Sequence, residues 1–297
     1  MIKQKENIYE IEPQDLKEIF KVRKENSHKG MYGTIGILGG SQEYPGSIKL
    51  ASMSATRCGC GIAKIIIPEN IAHLVAPSLL ENTFYLTNYD NDNKMILTNE
   101  EITEILVNLK SIAIGMGWGK SNNYKDILAR IIKTYKGTII IDADGLNTLA
   151  KMDLNILKNT NAKIILTPHL KEFSRLTKYE IEEIKKNKEK IALEFAKKYN
   201  IILLLKDHNT LITDGNLIYI TKTGGAGMAK AGSGDVLSGI LASILGYNTP
   251  NLLTVASASY LSGLAGSIAQ KKYTDISMRS SDIIEFIPNA IKYIRNS

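Results

Sequence analysis

Cysteine is nearly absent: the 297 residues hold two, Cys58 and Cys60, separated by one glycine. A disulfide framework is excluded by number. The C-x-C spacing is neither the C-x-x-C of a redox site nor half of a zinc site, and no neighbouring histidine completes a ligand set. Such thiols fit a reducing compartment, buried or idle. No stretch reaches ~18 strongly apolar residues, so no membrane-spanning helix is expected. The opening residues MIKQKENIYEIEPQD lack the apolar segment of a secretory signal. The expectation is a cytoplasmic chain with no membrane partner. No internal repeat or low-complexity linker is present. That points to one compact domain over 1–297, with 1–27 as a polar N-terminal arm or helix. No G-x-G-x-x-G follows the first apolar run, which argues against a dinucleotide dehydrogenase.

What is present reads as an ordinary globular chain, 44% hydrophobic and 23% charged. Lys and Arg number 37 against 30 Asp and Glu, a net charge of +7. The lysines are spread along the chain, which describes a solvated surface. The balance permits a phosphate-bearing ligand without demanding one, and no nucleic-acid partner is expected. Short β-branched runs at 34–38, 62–67, 111–114, 138–141, 164–166 and 201–205 alternate with amphipathic stretches. This pattern predicts an α/β fold: a central, mostly parallel sheet with helices on both faces. Runs 211–213 and 217–221 flank Asp214-Gly215-Asn216, predicting an antiparallel hairpin near residues 209–221. A small-residue helix is predicted over 46–58. A long charged helix is predicted over 180–200, with Ile184, Ile191, Phe195 and Tyr199 on its buried side. Residues 236–269 read as two close-packed core helices.

Five segments carry candidate chemistry. Residues 223–237 place a glycine-rich loop before an apolar helix, with Asp235 in its first turn. Glycines let backbone approach a ligand, and a helix start offers free N–H groups to an anion. The alternative is an aspartate that only complements the helix dipole, which leaves the glycines unexplained. Gly115, Gly117 and Gly119 follow the 111–114 run in a spacing that fits no nucleotide fingerprint, and read equally as a plain turn or a ligand floor. His169 ends another run, where ligands gather in open parallel sheets. Lys206-Asp207-His208-Asn209-Thr210 lies at a further strand end and reads equally as a nucleotide contact or a polar loop. Asp142 and Asp144 suit a metal or substrate contact, while Asp144 equally suits a helix cap.

Taken together, the ordered motifs resemble the ADP- or ATP-dependent NAD(P)H-hydrate dehydratases, repair enzymes with a ribokinase-like fold. The resemblance runs from about Ser27 to Ile287. It rests on residues 28–33, on Gly39-Gly40-Ser41 with Tyr44-Pro45-Gly46-Ser47, and on Gly115-x-Gly117-x-Gly119. It rests further on Asp142-Ala143-Asp144, on Leu166-Thr167-Pro168-His169 and on residues 229–235. The resemblance implies that Ser47, Gly117, His169 and Asp235 contact the hydrated nicotinamide dinucleotide, NADHX or NADPHX. It implies that Lys206, Asp207, His208, Asn209, Thr210 and Gly234 contact ADP or ATP, with magnesium accompanying the nucleotide and its protein ligands unassigned. It further implies a homo-oligomer, a tetramer in form, and cooperation with a separate NAD(P)H-hydrate epimerase, because too few residues precede His28 to hold that domain. The family's alanine after Pro-Gly is Ser47 here, its Lys-Gly turn is Lys206-Asp207, and its late His-Gly is Ser262-Gly263. A ribokinase-like kinase for a thiazole or pyrimidine alcohol is the alternative activity.

Physically, Asp235 is the candidate general base for the ring hydroxyl. Backbone N–H groups of Ala231, Gly232, Ser233 and Gly234 would meet charge on the transferred phosphoryl group. A helix start favours the ionised carboxylate, so proximity rather than a raised pKa is expected to carry the effect.

Overall fold

The computed structural model describes the backbone of residues 2–5 and 7–297, and side chains from Asn7 onward. One sheet runs through it. Its strands are β1 (Ile2–Lys5), β2 (Ile8–Glu10), β3 (Thr34–Leu38), β4 (Ile62–Pro68), β5 (Thr83–Thr87), β6 (Leu109–Ile114), β7 (Thr138–Ile141), β8 (Lys163–Leu166), β9 (Ile202–Leu205), β10 (Thr210–Thr213) and β11 (Ile218–Thr221). Their spatial order is β1-β2-β11-β10-β9-β8-β7-β6-β3-β4-β5. From β9 to β5 every pairing is parallel. β10 runs antiparallel to β9 and β11, as the hairpin expectation required.

The helices are α1 (Pro45–Arg57), α2 (Ala72–Val75), α3 (Asn99–Leu106), α4 (Asn123–Thr134), α5 (Ala143–Leu149), α6 (Leu170–Thr177), α7 (Ile181–Lys186), α8 (Lys188–Tyr199), α9 (Ser233–Tyr247), α10 (Leu252–Ser277) and α11 (Ser280–Asn296). Successive side chains of a strand point to opposite faces. Ile140 therefore joins the core with α1, α9, α10 and α11, while Ile139 and Ile141 join the core with α4, α5, α6 and α8. That double burial is why the central strands read as unbroken apolar runs.

Two expectations are corrected. Residues 1–27 are not simply a polar arm or helix: β1 and β2 extend the sheet beyond β11, and Ile11, Leu16 and Phe20 are buried. Pairing β2 there covers backbone groups that β11 would otherwise leave at an open edge. The irregular spacing of these apolar residues hides the role. The charged helix over 180–200 is two helices, broken at Asn187, whose φ of −122° and ψ of 29° depart from helical values. Ile184, Ile191, Phe195 and Tyr199 are buried as expected.

α10 is long and apolar enough to cross a membrane by length and composition, but 78% of its apolar window is buried within the fold. Both cysteines are free, and burial pushes both thiols up, Cys60 to about 11. They are thus protonated and inert at neutral pH.

α9 packs beside α1 on the sheet at backbone distance. A β-carbon on Gly239 would lie 1.9 Å from the Ala51 carbonyl oxygen. Gly239→Ala is expected to lower stability by about 1–3 kcal/mol, the range for overpacking. A denaturant midpoint lowered at unchanged slope checks it.

Candidate active site

Chain order reverses between β3 and β6, so the crevice beyond their C-terminal ends is the topological switch point, where α/β sheets bind ligands. The turns leaving these strands are joined by Gly40 N–H donating to Met116 O at 2.8 Å. Gly117 has φ +61°, and a β-carbon there would lie 2.8 Å from both Tyr44 O and Ser47 Cβ. Only glycine lets the start of α1 approach so closely. Ser47, the third residue of α1, lies near enough to Asp235 for its hydroxyl to lower the carboxylate's pKa. Gly117, Ser47 and Asp235 therefore meet.

Asp235 is the third residue of α9, after the glycine-rich loop. The loop is tied along α10, with Gly224 N–H donating to Ser267 Oγ at 3.0 Å and Gly227 N–H to Gln270 Oε1 at 2.9 Å. Lys230 Nζ donates to Ile276 O at 2.6 Å and to Met278 O. Ser280 Oγ donates to Ala231 O at 2.7 Å and lies 3.1 Å from Ser233 Oγ. As early residues of α9, Gly234 and Asp235 carry N–H groups with no acceptor inside the helix. The fixed loop aims this helix start at the cavity.

Burial chiefly, and the nearby Asp142 carboxylate, raise the Asp235 pKa to about 6, against the opposing Ser47 hydroxyl and Lys206 ammonium. This corrects the expectation that the helix start would favour the ionised carboxylate, with no raised pKa. Desolvation in the cleft outweighs the dipole.

Beside Asp235 lies a pair that sequence reasoning missed. Lys206 Nζ donates to Asp142 Oδ1 at 2.7 Å, and Ser238 Oγ donates to Asp142 Oδ2 at 2.7 Å. Asp142 is 2% exposed and Lys206 22%. Burial works against the ammonium, but Asp142, Glu172 and Asp235 overcome it and the Lys206 pKa is raised. A β-carbon on Gly234 would sit 3.4 Å from Lys206 Nζ, so the cation hangs over the start of α9. The two residues end β7 and β9, with β8 between them. Strand order, which the sequence does not print, brings them together. Asp142 also starts α5, while Asp144 accepts Gly119 N–H at 2.8 Å. The helix-cap role considered for Asp144 is therefore not seen: Asp142 holds the N-cap position of α5, and its side chain makes no capping hydrogen bond.

His169 caps α6: its Nδ1 accepts from the N–H groups of Lys171 and Glu172, and its Nε2 lies 3.3 Å from Glu172 Oε1. It is also on the wall of a cavity of about 900 Å³ that runs past Asp142, Lys206, Gly234 and Asp235. Asp207, His208 and Thr210 line the same cavity. Asn209 does not; its carbonyl accepts from Lys188 Nζ. Asp207 pairs with Lys188 at 2.8 Å; burial raises its pKa, but Lys188 and the His208 N–H outweigh that and lower it. Among the described residues no group of three or more His, Cys, Asp or Glu side chains is placed to hold a metal. Three of the cavity's four carboxylates, Asp142, Glu172 and Asp207, are engaged by protein partners. This donor set suits magnesium carried mainly by phosphates and water rather than caged by protein.

The parallel array, the hairpin and the loop feeding α9 share the fold of a ribokinase-like superfamily protein from Enterococcus faecalis, 24% identical over 98% of each chain with a TM-score of 0.82. Residues 35–289 match the family model described as NAD(P)H-hydrate dehydratase, and the chain belongs to that family. An ADP-dependent (S)-NAD(P)H-hydrate dehydratase from Nitrosopumilus maritimus is 30% identical over 93% of this chain and 94% of its own length. A bifunctional NAD(P)H-hydrate repair enzyme from Moorella thermoacetica is 31% identical over 91% of this chain and 51% of its own. The chain thus spans about half the length of such bifunctional relatives. The ADP/ATP-dependent NAD(P)H-hydrate dehydratase of Bacillus subtilis, co-crystallised with ATP and Mg2+, superposes with a TM-score of 0.80. It is 26% identical over 92% of this chain and 94% of that one.

Proposed function

We propose that the chain dehydrates the S epimer of hydrated NADH or NADPH, drawing a phosphoryl group from ADP or ATP. The observation that carries this reading is the Asp235 carboxylate, near Ser47 where Ser47 packs on Gly117, with the Lys206 ammonium over the neighbouring Gly234. In this reading Ser47, Gly117, His169 and Asp235 contact the hydrated ring. Lys206, Asp207, His208, Asn209, Thr210 and Gly234 contact the nucleotide.

Asp235 takes the ring hydroxyl proton as that oxygen bonds to the terminal phosphorus and the bond to the departing AMP or ADP breaks. A base with a pKa near 6 is mostly ionised at neutral pH yet stronger than an ordinary carboxylate. Lys206 and the N–H groups of Ala231, Gly232, Ser233 and Gly234 meet the charge on the phosphoryl oxygens. The ring C–O bond then breaks, phosphate leaves, and loss of a proton from the adjacent ring carbon restores the double bond. Magnesium, bound through the nucleotide phosphates, would supply further neutralising charge. The longer relatives named as bifunctional repair enzymes support cooperation with an epimerase activity, and the buried thiols support a cytoplasmic setting.

The test is absorbance of the reduced nicotinamide, followed with purified protein, hydrated NADH or NADPH, magnesium, and ADP or ATP in parallel. Recovery of absorbance with a nucleotide, and none without it, is expected. No recovery with either nucleotide, alongside phosphorylation of a small alcohol, replaces this reading with the kinase.

A further inference from the structure

Glu172 takes no part in the steps of the proposed reaction. It is the third residue of α6, 7% exposed, and lines the same cavity as Lys206 and Asp235. A carboxylate buried in a cavity that receives phosphates works against its anionic guest, and buried charges persist where they are paired. Its partners lie at two strand ends. Oε2 accepts His169 N–H at 3.0 Å, and Oε1 lies 3.3 Å from His169 Nε2. Beyond β8 and β9 the chain is bridged at His169 and Lys206, with Lys206 N–H donating to Pro168 O at 2.8 Å. Burial opposes the Lys206 ammonium, and Asp142 first, then Glu172, uphold it.

The His169 ring is held in one state. Its Nδ1 accepts the N–H groups of Lys171 and Glu172 at 3.1 and 3.2 Å, so the neutral imidazole carries its proton on Nε2. That N–H lies beside Glu172 Oε1, on a half-exposed ring that lines the cavity. The helix cap and the carboxylate together fix the tautomer and the plane of the ring. Glutamine cannot do the same. Its amide offers one oxygen where the carboxylate offers two, and the groups to be served, His169 N–H and Nε2–H, are both donors. Whichever of them it accepts, its NH2 group meets the other.

We infer that Glu172 is a positioning residue with two effects: it holds the His169 Nε2–H ready for the hydrate, and its charge restrains Lys206, loosening the cavity's hold on the nucleotide phosphates. The inference rests on the dehydratase reading and adds a residue to it. The spent nucleotide must leave in every cycle, so a restrained cation favours its release.

The experiment compares wild type with Glu172→Gln by calorimetry, titrating hydrated NADPH without nucleotide and ADP without hydrate. Hydrate affinity is expected to fall roughly fivefold, the scale of one hydrogen bond. ADP affinity is expected to rise roughly threefold or more, because one like charge has left the cavity. In a His169→Ala background, Glu172→Gln should cost no further hydrate affinity while the gain for ADP persists. A merely structural role weakens both ligands together, and that outcome, or unchanged hydrate affinity, overturns the assignment. Should the glutamine variant fail to fold, wild type decides. Its imidazole nitrogen-15 spectrum, with the His169 signals identified by their loss in His169→Ala, is expected to show the proton on Nε2, and the reverse tautomer overturns the assignment. Wild type that binds no hydrate overturns it too. Wild type that binds the hydrate yet never restores absorbance, with the two affinities still moving in opposite directions in Glu172→Gln, upholds the positioning role and removes the dehydratase reading.

Discussion

Asp235→Asn is expected to lower turnover by roughly 10²–10⁴-fold, the usual contribution of a general base, and to make the protein more stable at pH 7. Asparagine keeps the shape and the contact with Ser47 but cannot take a proton. The stability gain follows from linkage. The folded pKa of Asp235 is about 6, above its ordinary 3.8. Between those two pH values the folded state holds more protons than the unfolded state, so stability falls as pH rises through the window. Below about 4 the group's relative stabilisation is fully present, and by pH 7 it is lost. Asparagine escapes that loss, a gain of up to about 3 kcal/mol at neutral pH. Wild-type kcat/KM should climb with a midpoint near pH 6, and the asparagine variant should lack that limb. A purely structural aspartate predicts the reverse pairing, near-normal turnover with lowered melting temperature. A variant that keeps more than roughly a tenth of the wild-type rate would sink the base assignment.

The central strands were legible because burial on both faces leaves no polar residue to interrupt them: residues 138–141 read and fold as β7. β5 was not legible. Its residues alternate weakly and stay largely exposed at the sheet's edge. β2, only three residues long, was hidden as well; it pairs with β11. Within the site, the glycines announced the head of α9, and Asp235 with them. Its raised pKa was not readable, because burial and the approach of Asp142 depend on how β7 is placed against α9. His169 was found for its position at a strand end, yet its Nδ1 is spent as the cap of α6.

Lys206→Met is expected to damage stability and turnover by separable routes. Removing the ammonium leaves the Asp142 carboxylate, 2% exposed, with the Ser238 hydroxyl as its remaining side-chain hydrogen-bond partner. Breaking a buried pair from one side costs about 3–5 kcal/mol, because the stranded charge keeps its desolvation penalty. Lys206 is 22% exposed, so water softens the loss and the lower end of that range is expected. Turnover should fall roughly 10²–10³-fold, as when one fixed donor to a developing oxyanion is removed. The double variant Asp142→Asn/Lys206→Met separates the routes. It removes both charges and keeps an acceptor for Ser238, so most of the lost stability should return, with a coupling of roughly 0.5–3 kcal/mol across the cycle. Turnover should not return, since no cation then hangs over Gly234. Equal instability of the single and double variants would show that Lys206 stabilises by packing rather than by pairing. Recovery of turnover in the double variant would show that Lys206 serves Asp142 and not the phosphoryl group.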